Sequence, residues 1–476
     1  MLRSIGKQTV NQIFIIIILN LFSLGLIAQD TSQDIYIKVG EAQIKKSLMA
    51  FPALQFSSST SAAPQHQKYG AELYKVIKND LDVTGYFEMM DPKSFLEDSA
   101  KVSPLPVPEA TNGFKFESWK SIGAEFLLRL NFSLAGDQLN LEAYVYHVPK
   151  MKKILSKKYK GSLSQLSKLA HSFANDLVLA LTGKEGMFLS KVVVASSKSG
   201  SQIKEIYIMD WDGANLKKVT SHNSIALSPN WSPDGKKILY TAFVSKVLPK
   251  GKKGLRNPDL FMLDLAKGQR WLISDRMGLN SGGTFHPNGD SILMTMSEKG
   301  NSDIYRVDLE GNVKKKLTSG PSGALNVEPS VSPDGAKVAF SSDRLGKPMI
   351  WVMDIDGTNA AKRTTAGVYN SSPSWSPDGK KIAFAGLDDR HYDIFIMDAD
   401  GSKIERLTTK KKNDGSGKWS TNEDPVFSPD GRFIMYSSDR DGVNQVYIIN
   451  VDGTNERRIT FDRNNYYKPR WSKNFE

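Results

Sequence analysis

The sequence predicts an all-β, six-bladed β-propeller preceded by a small α+β domain. Three observations carry that reading. A Ser-Pro-Asp-Gly signal recurs after an aromatic or apolar residue, an alternating apolar run recurs between those signals, and the texture of the chain changes near residue 190. The 476 residues suffice for two or three cores, and an apolar share of 40% is that of an ordinary globular chain.

The first signal falls at Trp231, Phe285 (in TFHPNGD), Val331, Trp375, Phe427 and, in degraded form, Trp471. The second reads IYIMDWDG, LFMLDLAKG, IYRVDLEG, IWVMDIDG, IFIMDADG and VYIINVDG, usually followed by a Val-Thr or Leu-Thr pair such as Val219-Thr220. A period of about 40–50 residues holding four short strands is the mark of a propeller blade. The strands are named A to D outward from the central axis; in one unit B is KKIAF, C is DIFIMD and D is KIERLT. Proline ends a paired strand, and Pro-Asp-Gly presets φ, offers a local side-chain bond and supplies φ > 0 in turn. Ser376, Asp378 and Gly379 are therefore turn residues between A and B, not catalytic ones. The DWDG and DIDG turns between C and D resemble the start of a calcium loop but lack its later ligands. The first blade has B, C and D strands and no A strand, whereas YYKPRWSKNF reads as an A strand with nothing after it. The phase thus predicts that this last strand closes the first blade, so that the propeller spans residues 190–476.

Residues 29–185 form the second domain. DIYIKV (34–39) alternates like a strand, and HQKYGAELYKVIKNDL (66–81) puts Tyr69, Leu73, Val76, Ile77 and Leu81 on one helical face. AEFLLRLNFSLAGDQLNLEAYVYHV (124–148) reads as a hairpin, and residues 163–183 as a helix stopped by Gly183. The proline-rich KVSPLPVPEA (101–110) reads as a surface loop. Ahead of this domain, Arg3 and Lys7 precede an apolar run from Ile13 to Ile27, and Ala28 follows. This is the layout of a signal peptide over residues 1–28; Asn20 interrupts the run, which is short for an anchor helix.

Composition removes several chemistries. With no cysteine there are no disulfides, thiolate nucleophiles or zinc–thiolate sites, which suits an oxidising compartment. The net charge of +12 sits in MKKILSKKYK (151–160), KVLPKGKKGLR (246–256) and the KKK runs at 314–316 and 410–412. These read as solvated loops; no stacking aromatics or binding module accompany them, so nucleic acid is not an expected partner. No Gly-x-Ser-x-Gly elbow is present, and GSGKW (415–419) lacks the spacing of a phosphate loop. The six histidines form no HxxxH pair. A propeller lyase or hydrolase using His222, His286 and His391 at the channel mouth is the alternative to a binding role.

Propeller topology places the short A–B and C–D turns on one face and the variable B–C and D–A connections on the other. Variable loops on a rigid scaffold carry function. The D–A segments converge on the channel mouth with Leu227, Leu279, Asn280, Val327, Glu328, Tyr369, Asn370, Glu423, Asp424, Tyr466 and Tyr467. A mixed apolar and acidic rim of this kind fits a protein or peptide.

The leader, the α+β domain, the WSPDGKKI and IYxMDxDGxNxxxLT units, the transition DLVLALTGKEGMFLSKVVVAS (176–196) and the terminal KPRWS together resemble the TolB family, periplasmic components of the Tol–Pal system. The resemblance covers nearly the whole chain after the leader. It implies a monomeric adaptor without catalysis, peripheral to the membrane, that supports outer-membrane integrity and constriction at division. It implies no cofactor, although some members hold metal ions in the channel. It also implies that a peptidoglycan-associated lipoprotein (Pal) docks at the channel mouth, at positions matching Leu227, Leu279, Gly282, Val327 and Glu328; Leu279 stands where a histidine is common. The resemblance also implies that the N-terminus after the leader engages TolA, which here would be the segment from Gln29 to about Val39, with Asp34, Ile35, Tyr36 and Ile37, although its residues depart from the family's pattern.

Overall fold

The computed structural model describes residues 46–57, 64–247, 253–298, 300–388 and 390–475. The expected leader over 1–28 and the segment Asp34–Ile37 lie outside the described residues. Among the described residues no helix is long and apolar enough to cross a membrane.

In the first domain the chain runs β1 (Ser47–Ala50), β2 (Gln55–Phe56), α1 (Pro64–Thr84), β3 (Phe87–Met89), β4 (Ser103–Pro106), β5 (Gly113–Phe114) and α2 (Phe116–Ser121). The hairpin β6 (Phe126–Ala135) and β7 (Gln138–His147) follows, then β8 (Lys152–Ser162) and α3 (Leu166–Thr182). The sheet runs β3-β1-β6-β7-β8, with β2 also on β6. Gly183, at φ 70, caps α3 in the left-handed region. Leu73, Ile77 and Leu81 of α1 and Phe173, Leu177 and Leu181 of α3 are buried.

Several segments read as loops are strands, among them residues 246–247 and 253–256 of the basic run in blade 2. Residues 103–106 are not a loop: β4 pairs in parallel with β5. The Arg129 guanidinium donates to Val102 O at 2.8 Å and Tyr146 Oη to Pro104 O at 3.1 Å, so carbonyls that proline-rich backbone leaves open find donors. Residues 152–160 are likewise not a loop but most of β8, an edge strand that buries Tyr159. Its lysines blunt a free edge, and the run at 314–316 does the same in the outermost strand of blade 3 (Val313–Lys316).

Six four-stranded antiparallel sheets form the propeller. Blade 1 takes its strand A from Asn464–Asn474, which pairs with strand B, Ser190–Lys198. Strands A of blades 2 to 6 are Ala226–Trp231, Asn280–Phe285, Asn326–Val331, Tyr369–Trp375 and Asn422–Phe427. In the A–B turns the serine hydroxyl donates to the aspartate, as Ser376 does to Asp378 at 2.6 Å. It also accepts from the first amide of strand B, Lys381 N, at 2.9 Å. Ser232, Ser332 and Ser428 repeat both bonds.

Between blades the core is shared. Ile394 and Ile396 of blade 5 pack with Phe427, Ile434 and Tyr436 of blade 6. The recurring threonine after strand D explains itself here. Thr408 Oγ1 accepts from Ile394 N at 2.9 Å and donates to the buried Asp393 at 2.6 Å, and Asn422 of the next blade donates to the same oxygen at 2.9 Å. Thr318, Asp303 and Asn326 repeat this latch between blades 3 and 4.

Candidate functional site

Every strand A carries a register shift near its middle, between Leu227 and Asn230, Ser281 and Thr284, Val327 and Ser330, Ser371 and Ser374, Glu423 and Val426, and Tyr467 and Arg470. The residue inside each bulge has positive φ: Ser228 (51°), Gly282 (64°), Glu328 (56°), Ser372 (52°), Asp424 (60°) and Lys468 (48°). In five of the six, proline follows, with no N–H for the ladder and a bias against right-handed helical φ/ψ before it. Left-handed backbone costs a residue with a Cβ roughly 1–2 kcal/mol. Five such residues and one glycine therefore ring the axis, one per blade, and such strain gathers at functional positions.

Five of them, Ser228, Gly282, Glu328, Ser372 and Lys468, border a channel cavity of about 580 Å³. Around the ring the order is Lys468, Ser228, Gly282, Glu328, Ser372 and Asp424, so Lys468 stands opposite Glu328. Its ammonium spans the neck, 2.9 Å from Glu328 Oε1 and 3.0 Å from Asp424 Oδ1. Ser372 N donates to Glu328 Oε2 at 2.8 Å, and Ser372 Oγ reaches Asp424 Oδ1 at 3.2 Å. Burial raises both carboxyls, but the Lys468 charge outweighs it with the help of these bonds, and both lie below their ordinary values. Burial lowers the Lys468 ammonium, yet Asp424 and Glu328 together carry it above its ordinary value. Glu423 has no such partner. Partial desolvation in the strand wall, then the neighbouring Asp424, pushes it up to about 7 although its side chain reaches solvent. The space between the two carboxylates where a metal ion would sit is filled by the lysine.

The two faces of the ring differ. On the turn face, Arg432 of blade 6 donates to Thr84 O and stacks 4.2 Å over Tyr86, while Arg457 donates to Asp82 O at 2.8 Å. The α+β domain thus covers part of that face. On the loop face, Met277, Val368 and Phe461 in D–A connections and Leu345 in a B–C connection are the described propeller hydrophobics exposed beyond half, at 72%, 51%, 74% and 69%.

The expected rim residues divide into two groups. Leu227, Leu279, Gly282, Val327, Glu328, Tyr369 and Tyr467 are half-buried, Glu423 is exposed and Asp424 is nearly buried. Asn280, Asn370 and Tyr466 are not on the surface, at 0%, 3% and 1%. The two asparagines occupy latch positions, Asn280 donating to Arg276 O at 2.6 Å and Asn370 to Ala366 O at 3.0 Å. Tyr466 buries its ring and donates to Asp462 at 2.8 Å. Lys468, Ser372 and Arg470 belong to the channel and are not marked in the sequence reading; for Lys468 and Ser372 the signal is the X-Pro just ahead of the recurring apolar residue, present in five of the six blades. The three propeller histidines are not brought together: His222 bonds Tyr240, His286 bonds Asn288, and His391 stacks on Trp419.

Family models match both parts of the chain. One described as the TolB beta propeller domain covers residues 178–423 and 369–476, and one described as the TolB amino-terminal domain covers 35–154. A protein TolB homolog of Chlorobium chlorochromatii is 34% identical over 322 residues, 67% of this chain and 66% of that relative. A Tol-Pal system protein TolB of Desulfosudis oleivorans is 31% identical over 283 residues, 60% of each chain. The match thus spans about two thirds of these relatives or less. The crystal structure of TolB from Acinetobacter baumannii superposes with a TM-score of 0.71 at 25% identity, covering 90% of this chain and 97% of that one.

Proposed function

The chain belongs to the TolB family, and we propose that it is a non-catalytic adaptor of the Tol–Pal system, exported to the periplasm by the leader expected over residues 1–28. Its propeller seats a peptidoglycan-associated lipoprotein on the loop face, and the segment around Asp34–Ile37 engages a TolA-like inner-membrane protein. Joined in this way, the two contacts couple the inner membrane to the outer wall and support its integrity and constriction.

The observation that supports this most is the pairing of exposed apolar side chains with a charged neck on one open face. Apolar anchors around a polar centre fit a protein surface, where a few buried side chains carry most of the affinity.

The test is a pull-down and titration with the cognate lipoprotein. Wild type retains it, and Phe461→Asp, which makes no interior contact, weakens the complex at least tenfold, as does Glu328→Lys. A wild-type protein that fails to retain the lipoprotein ends the proposal.

A further inference from the structure

Away from the channel, the C–D turn of blade 1 meets the α+β domain. Asp210 ends strand C (Glu205–Asp210) and Asp212 follows in the DWDG turn, both facing His171 of α3. One ligand atom from each of the three lies within 4.8 Å of the others, the one such group among the described residues. Asp354-Ile355-Asp356 and Asp398-Ala399-Asp400 repeat the turn in blades 4 and 5, where Asn359 and Lys403 bond the first aspartate as Asn215 bonds Asp210.

His171 is 3% exposed, and its Nε2 has no hydrogen-bond partner although it points at the two carboxylates. Its Nδ1 is fixed 2.7 Å from Asp80 Oδ2, on α1. That carboxylate sets the tautomer: with Nδ1 as the donor, the lone pair lies on Nε2, as when a carboxylate backs a metal-bound histidine. Nε2 and Asp212 Oδ2 are 4.0 Å apart, too far for a hydrogen bond and about half an ångström wider than the ligand–ligand edge of roughly 3.3–3.6 Å that a tetrahedral ion with bonds of about 2.0–2.2 Å sets. Asp212 Oδ1 is held by Ala214 N at 3.0 Å and Asp210 Oδ2 by Asn215 at 2.7 Å, so both carboxylates are oriented by their own turn. A cavity of about 220 Å³ borders His171 and Asp210, with Lys168 and Lys191 along its wall, and leaves room for a water as fourth ligand. Lys191 also bonds Asp210 Oδ1, through a side chain that is 39% exposed. Asp80 Oδ1 and Trp211 Nε1 at the same junction also have no hydrogen-bond partner.

We propose that His171, Asp210 and Asp212 form a divalent transition-metal site, backed by Asp80, that pins the α+β domain to blade 1. One imidazole nitrogen with two carboxylate oxygens selects zinc, cobalt or nickel over calcium and magnesium, which take all-oxygen shells. The site is separate from the loop face and independent of the lipoprotein.

Chelator-stripped full chain is titrated with zinc by calorimetry and with cobalt by visible absorption. Wild type takes one equivalent, develops the cobalt bands of a histidine-ligated centre and melts higher with zinc. Asp212→Asn abolishes the bands, and Asp80→Asn weakens zinc about 10–100-fold. Zinc bound equally by wild type and Asp212→Asn, or not at all by wild type, overturns the proposal. Should Asp212→Asn not fold, anomalous scattering from zinc-soaked wild-type crystals decides: a peak between His171 and Asp212 supports the site, and its absence overturns it.

Discussion

The two ends of strand A repeat different things. At the turn end the residues themselves recur: Ser232, Ser332, Ser376 and Ser428 make the same pair of bonds to the following aspartate and amide. At the bulge end only the backbone recurs. All six positions share positive φ, while the side chains run Lys, Ser, Gly, Glu, Ser, Asp around the axis. Chain reversal needs one solution, so the turn keeps its residues. The bulge brings six positions, five of them with side chains, around a common space, where identical charges would repel, so it keeps a conformation and diversifies its chemistry. The difference identifies the bulge ring and the loops around it as the functional end and the turns as scaffold.

Four perturbations probe that division, in falling order of expected effect. Removing Asn464 onward deletes strand A of blade 1 and with it Lys468, leaving Ser190–Lys198 as an open edge. The truncated protein should lose its cooperative thermal transition; a melting curve like that of the full chain would show that closure does not depend on this strand. Next, Lys468→Met strands Glu328 and Asp424 without their cation. The three side chains keep 24%, 31% and 13% exposure, so solvent screening reduces the penalty of a broken buried pair to about 1–3 kcal/mol.

The pH dependence of that loss is fixed by the directions of the shifts. Both carboxyls lie below their ordinary values, so their stabilisation is present above about pH 4 and is lost as pH falls through the folded values. The ammonium lies above its ordinary value, so its share is full below about pH 10 and is lost only as pH rises through the folded value. Urea melts should therefore separate wild type from Lys468→Met at pH 7 and narrow the gap as the pH is lowered below about 4. A gap unchanged at low pH would mean that the neck charges are not coupled.

Asn422→Ala tests the scaffold side of the comparison. It takes a donor from the buried Asp393 and should cost about 1–3 kcal/mol in urea melts with no change in lipoprotein affinity. The smallest effect on stability belongs to Leu345→Ser with Phe461→Ser, expected within about 0.5 kcal/mol per site of wild type. The same pair should weaken lipoprotein binding in a titration. A stable double variant that binds normally would remove the exposed apolar residues from the interface.

What the sequence disclosed follows the same line. The blade period and phase were readable because the turns repeat residues, and α1, α3 and the β6–β7 hairpin because their apolar spacing is regular. The channel ring was only half readable. Glu328 and Asp424 were marked as acidic residues near the mouth, but Lys468 and Ser372 share with them only a following proline. Asn280 and Asn370 were placed on the rim because asparagine in a connection reads as a surface residue; their role is to tie backbone at the blade junctions. His171, Asp80 and Asp212 meet only through the docking of two helices on a blade, which no local spacing encodes. The lysine runs misled for a plainer reason: an edge strand facing water has the composition of a loop.

The central claim, that partners meet the bulge-and-loop face, is tested most directly by amide hydrogen exchange of the full chain with and without saturating cognate lipoprotein. The account predicts slowed exchange in the D–A and B–C connections around Met277, Leu345, Val368 and Phe461 and in the bulges at Glu328 and Ser372, with the A–B turns at Gly235, Gly335 and Gly379 unchanged. Protection at those turns, with the loop face unaltered, would contradict it.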